Sequence, residues 1–234
     1  HRKRLCSVSE NIVAETAERI FADLADAQTI NNVANDTWKA PLWAALTDAG
    51  LPLAWVPEEC DGSGASLADG FAVAASSGKF AISIPLVETM LAGWLLSQAG
   101  LPSSQGKMTV APARPQDRIT LNPDGTLSGR VRSIPFASEA AHIAVIAQDA
   151  KGYSIALADA SACRIEAGES LGSDASNAVT FDNVRPSSSK PAPSGFTNRS
   201  LMLMGATLRS LQIAGALETM LEMTVRYSNE RVAF

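Results

Sequence analysis

The chain has 234 residues, enough for one large domain or two smaller ones with a full hydrophobic core. Its hydrophobic content of 46% is ordinary for a globular protein, and its net charge of −5 argues against a general nucleic-acid binder. Three widely spaced cysteines, Cys6, Cys60 and Cys163, form no disulfide framework and suit a reducing, cytoplasmic setting. The two histidines, His1 and His142, do not supply a paired-histidine zinc site, and no metal is expected. No apolar segment reads as a membrane span. The basic start His1-Arg2-Lys3-Arg4 is not followed by a secretory core.

Ser7 and Glu10 have the spacing of a capping box, and Val13, Ala17, Ile20, Phe21 and Leu24 then mark the buried face of a first helix. Pro41 suits the first turn of a second helix carrying Leu42, Trp43 and Leu46, which Gly50 closes. Leu51 to Glu59 reads as a short extended apolar run, and Asp61-Gly62-Ser63-Gly64 as a loop. Ser66 and Asp69 cap a further helix that ends near Gly78. Pro85 opens another with Leu86, Val87, Met90, Leu91, Trp94 and Leu95 inward, stopped by Gly100. The first hundred residues therefore read as all helical.

After Leu101-Pro102-Ser103-Ser104 the runs become short, β-branched and broken by turns. Asn122-Pro123-Asp124-Gly125 and Asp149-Ala150-Lys151-Gly152 are hairpin turns, and Asn177 to Phe181 is a last strand. This predicts a compact antiparallel barrel or sandwich. Arg185 to Asn198, rich in Pro and Ser, reads as a surface connection. From Asn198 a long helix follows, capped by Thr197 or Ser200, with Leu201, Met204, Leu208, Leu211, Gly215 and Leu221 along one side. At 1.5 Å per residue it would span roughly 45 Å. The predicted class is α+β: an N-terminal helical domain at 1–104, a middle β domain at 105–185, and at 186–234 a connection and the first long helix of a C-terminal bundle that is cut short.

Residue by residue, no catalytic constellation stands out. Gly62-Ser63-Gly64 lies outside any βαβ unit, and Gly64 to Ala68 lacks the last glycine of a nucleophile elbow, so Ser66 is better read as a cap. Glu58 and Glu59 read as a solvated pair, and His142 as a satisfied residue at the start of a strand. Cys60 sits beside Asp61 with no cation to activate it. Arg231 suits two roles, a solvated cation at a helix end or a bidentate clamp on a pyrophosphate.

Several segments, in order and spacing, resemble the acyl-CoA dehydrogenase family. Val56-Pro57-Glu58-Glu59-Cys60-Asp61-Gly62-Ser63-Gly64 is similar to its VPEE-x-GG-x-G segment, with Asp61 in place of the first glycine. Gln212-Ile213-Ala214-Gly215-Ala216 and Tyr227-Ser228-Asn229-Glu230-Arg231-Val232-Ala233-Phe234 are similar to its Q-x-AG-A and Y-x-x-x-R-x-x-F segments. The resemblance covers nearly the whole chain. It implies an FAD enzyme that desaturates an acyl-CoA thioester and passes electrons to an electron-transfer flavoprotein. It also implies a homo-tetramer, or a hetero-oligomer with a paralogous subunit, with no nucleic acid and no membrane span.

The same resemblance implies cofactor roles for Arg231 and Phe234, at the FAD of a neighbouring subunit, and for Ser133 and Pro135, at the flavin-facing strand. Pro135 stands where the family has a threonine, and it brings neither an N–H nor a hydroxyl. Pro135-Phe136-Ala137 resembles divergent branches, including those acting on steroid side chains. The catalytic carboxylate is expected beyond Phe234, with Glu218, Glu222 and Glu230 as the carboxylates on the long helix. The alternatives are a non-catalytic partner subunit and a flavin monooxygenase or oxidase on the same fold.

Overall fold

The computed structural model describes residues 12–32, 36–168, 170–171 and 174–231. Cys6, the Ser7–Glu10 spacing and Phe234 lie outside them. The helical layer is built from α1 (Ile12–Leu24), α2 (Ala27–Asn32), α3 (Lys39–Asp48), α4 (Leu67–Lys79) and α5 (Leu86–Gln98). Ala17 and Phe21, one turn apart on α1, face the core. Ser66 caps α4 as its spacing predicts: the Asp69 amide donates to Ser66 Oγ at 3.2 Å, and the Ser66 amide donates to Asp69 Oδ2 at 3.0 Å.

Leu51 to Glu59 is not extended. It winds into 3-10 turns at Leu51–Leu53 and Glu58–Cys60. Its continuous apolar character comes from burial of both sides, which strand and turn share. Trp55 Nε1 donates to the Met90 carbonyl at 2.8 Å. The Trp55 ring also lies so close to Gly70 that a Cβ there would sit 2.3 Å from Cε3.

The β unit comprises β1 (Met108–Ala111), β2 (Thr120–Leu121), β3 (Leu127–Pro135), β4 (His142–Asp149), β5 (Gly152–Asp159), β6 (Arg164–Glu166), β7 (Ser176–Val184) and β8 (Ser188–Pro191). They form one sheet in the order β6-β7-β3-β2-β4-β5-β8, with β1 also paired to β4. The two expected hairpins are present, joining β2 to β3 and β4 to β5. Two features differ from the sequence reading. The unit is not purely antiparallel, because β1 and β2 both run parallel to β4. The stretch from Arg185 to Asn198 is not wholly connection, because β8 adds to the edge of β5. Ser and Pro are tolerated on such an edge, where one side of the strand needs no ladder partner.

Ala144 and Ile146 of β4 join the helical core, while Ile143, Val145 and Ala147 join a second core on the other side of the sheet. Both faces of β4 are thus buried, which accounts for its unbroken apolar sequence. Thr89 on α5 ties the layers together: its Oγ1 accepts from the Met108 amide of β1 at 3.0 Å.

The long helix α6 (Asn198–Glu230) starts at a Thr197–Ser200 capping box. It lies on α4 at backbone contact. A Cβ on Gly78 would fall 2.0 Å from the Gln212 carbonyl oxygen, and one on Gly215 would fall 2.1 Å from that of Ala75. Leu201, Leu208 and Gly215 are buried. Leu221, placed on the same stripe from its spacing, is 65% exposed, and Met220, Met223 and Val225 are exposed with it. Contrary to the sequence reading, α6 is long and apolar enough to cross a membrane by length and composition, with a mean hydropathy of 1.2 in its most apolar stretch. Its first half nevertheless docks on α4 and α5.

Candidate active site between α5, α6 and the sheet

A cavity of about 520 Å³ opens where α5, α6 and the bulged end of β3 converge. Val87, Glu88 and Leu91 face it from α5, and Leu201, Met202, Gly205 and Arg209 from α6. Val110, Ser133, Pro135 and Phe136 face it from the sheet. The turn before β7 closes one side with Ser170, Asp174 and Ser176.

The sheet wall is built on an irregular backbone. The β3–β7 register shifts between Val131 and Ile134, and Ser133 and Phe136 have φ of 58° and 51°. Non-glycine residues in this region are strained and persist where the surroundings hold them, a pattern that clusters at ligand sites. The bulge carries Ser133 out of the regular ladder and onto the cavity wall. The Pro135 carbonyl is already committed, accepting from Thr109 Oγ1 at 2.7 Å.

The helix wall carries charge. Glu88 is only 4% exposed, and Arg209 Nη2 donates to its Oε1. Arg209 Nη1 donates to Gln212 Oε1 at 2.7 Å, and its side chain is 49% exposed. Burial pushes the Glu88 carboxyl above its usual range. Arg209 pulls the other way, but its guanidinium faces solvent and its attraction is screened, so desolvation wins. Asp174, which accepts from Ser83 Oγ, adds a further upward push on Glu88.

Ser133 and Pro135, named from the sequence, both lie on this wall. Arg231 does not: it caps the exposed end of α6, with its guanidinium 5.9 Å from the Tyr227 ring centre. None of the three α6 carboxylates is on the wall. Glu218 pairs with Lys79 at 3.3 Å, and Glu222 and Glu230 are exposed. His142 is satisfied by Ser104 Oγ, 3.0 Å from Nδ1. Cys60 and Cys163 are not activated thiols. Burial raises both, Cys163 to about 11.

Sequence reasoning missed Glu88, Asp174 and Arg209. For Glu88 a signal was present, because it is the lone charge in the apolar run Leu86-Val87-Glu88-Thr89-Met90-Leu91. A helix buried on nearly all sides has no solvated face for such a charge, so it must have a partner.

No protein-family model and no curated protein sequence matches the chain. Solved structures do. The steroid ACAD Tcur3481-Tcur3483 superposes with a TM-score of 0.76 at 24% identity, over 95% of this chain and 67% of that one. The fold is that of an acyl-CoA dehydrogenase. The ChsE4-ChsE5 complex from Mycobacterium tuberculosis gives a TM-score of 0.80 at 18% identity, over 97% of this chain and 69% of that one. An acyl-CoA dehydrogenase complexed with FAD from Bacillus anthracis gives 0.75 at 17% identity, over 98% of this chain and 46% of that one. The acyl-CoA dehydrogenase fold thus covers nearly all of this chain at low identity.

Proposed function

We propose that the chain is part of a flavin-dependent acyl-CoA dehydrogenase that desaturates the α,β bond of an acyl-CoA thioester. The observation that carries this reading is the cavity itself, bounded by two helices and a strained, bulged strand and holding a buried carboxyl group. Its residues suit FAD. Phe136 and Val110 offer an apolar surface for a flat ring, and Ser133 and Ser176 offer hydroxyls for a polar ring edge. When bound, FAD supplies the two-electron acceptor for a hydride leaving the acyl β-carbon.

The chain's own part is binding and orientation. The bulge at Ser133 fixes the sheet wall against which the ring would rest. Val87, Leu91 and Leu201 give an acyl chain an apolar bed and exclude water from it. The Glu88–Arg209 pair spans α5 and α6 and sets the width between them. Arg231, on an exposed helix end, is free of the cavity and suits the pyrophosphate of a neighbouring subunit's FAD. An electron-transfer flavoprotein is the proposed electron acceptor.

A second reading is a non-catalytic subunit that completes a partner's site. It is favoured by Pro135, which has no N–H and whose carbonyl is already taken by Thr109. The heteromeric ChsE4-ChsE5 complex has the same fold. The absorption spectrum of the purified protein separates the two. A flavin spectrum that bleaches anaerobically with acyl-CoA supports the dehydrogenase. A colourless folded protein that restores colour and turnover to a co-expressed partner supports the second reading. Arg231→Ala should lower flavin retention about tenfold under either, and unchanged flavin content would remove Arg231 from the site.

A further inference from the structure

We propose that the charged end of this cavity recognises a neutral hydroxyl group on the acyl part of a thioester ligand. This deepens the dehydrogenase reading and rests on it. The starting point is a pair that stability alone does not explain. An apolar pair of similar volume would hold α5 against α6 at no desolvation cost, whereas Glu88 is 4% exposed and its pairing must offset the burial of a carboxylate. Both members of the pair line the cavity.

Arg209 shows what a ligand must supply. A guanidinium carries five N–H groups. Among the described residues, Glu88 and Gln212 take one bond each from Arg209, and the side chain is still half exposed. A ligand that covers it displaces water from the remaining N–H groups. A plain alkyl chain gives nothing back, and a covered, unpaired donor costs more than the contact gains. An oxygen substituent restores the bond.

The neighbouring charges narrow the choice of oxygen. Among the described residues, Glu88 and Asp174 place two acidic side chains on the wall against one arginine, so an anionic carboxylate end is opposed. A ketone accepts from Arg209 but gives no hydrogen to Glu88 or Asp174, which accept from Arg209 and Ser83. A hydroxyl does both, accepting from Arg209 and donating to Glu88 or Asp174. The apolar residues Val87, Leu91 and Leu201 then hold the hydrocarbon between that group and the thioester.

Calorimetric titration of the flavin-loaded protein with decanoyl-CoA, its isomers hydroxylated at successive carbons, and the ω-carboxy analogue tests this. At least one hydroxylated isomer should bind about ten- to a hundredfold tighter than decanoyl-CoA, and the ω-carboxy ester should bind more weakly than either. Arg209→Met should remove that preference, so that the hydroxylated isomers bind no tighter than decanoyl-CoA does to the same variant. Should this variant not fold, the wild-type ligand series decides alone. If decanoyl-CoA binds as tightly as every hydroxylated isomer, hydroxyl recognition is wrong and the acyl-CoA reading stands. If no CoA ester binds at all, both fall.

Discussion

The helix α6 meets two neighbours in opposite ways. Against α4 it is closed: Gly78 and Gly215 bring backbone onto backbone, with no room for a methyl group. Against α5 it is open: a Cβ on Gly205 would meet only Leu91 Cδ2, at 3.5 Å, and the space beside it is the cavity. Small residues serve both contacts. In one they permit close approach, and in the other they leave volume. What separates the two is the charge on the open side, where Glu88 and Arg209 bridge a gap that packing does not fill.

The largest effect should come from disturbing the closed contact. Gly78→Ala places a Cβ 2.0 Å from a carbonyl oxygen that cannot swing away. It should cost about 3 kcal/mol of stability, as overpacking does, read as a fall in the urea midpoint. A variant as stable as the wild type would show that the helices are not in backbone contact.

On the open side the expected signature is a pH dependence. The Glu88 carboxyl is raised above its ordinary 4.5, so the folded protein holds its proton more tightly than the unfolded chain. The stability this brings is complete below that ordinary value and is lost as pH rises through the raised one. Glu88→Gln should therefore flatten the decline in stability as pH rises above 4.5. Asp26, Asp124, Asp149 and Asp159 act in the opposite sense. Hydrogen bonds from Thr29, Thr126, Ser154 and Ser161 lower them from 3.8, and their contribution is lost only as pH falls below that value. The two windows do not overlap, so an unchanged slope above pH 4.5 in the variant would contradict the burial assigned to Glu88.

The smallest effect has the opposite sign to the first. Gly205→Ala fits at ordinary contact distance and gains helix propensity, so it should stabilise by about 0.5–1 kcal/mol, while narrowing the cavity. Equal losses from Gly78→Ala and Gly205→Ala would erase the distinction between the two contacts.

Features set by neighbours in sequence were legible in advance. The caps at Ser66 and Thr197 and the turn at Asn122 to Gly125 depend on residues within a few positions, and each is where its spacing puts it. Features set by tertiary pairing were not. Ser188 to Pro191 has no strand pattern and becomes β8 only because β5 offers an edge. Leu51 and Pro52 are both buried, and an apolar run buried on both sides does not tell a 3-10 turn from a strand. The site divides the same way. Ser133 and Pro135 came from a family resemblance, not from periodicity. Glu88 was readable as a charge without a polar face, but its partner lies 121 positions away on a helix of mixed character. Only the docking of α6 on α5 brings them together.

Hydrogen–deuterium exchange with and without saturating FAD tests the central claim, that this cavity is the ligand site. Protection should concentrate at 133–136 in and beyond β3 and at 201–209 on α6. Protection confined to the smaller cavity around Trp43, Gly62 and Gln105, or no protection in a folded protein, would contradict it.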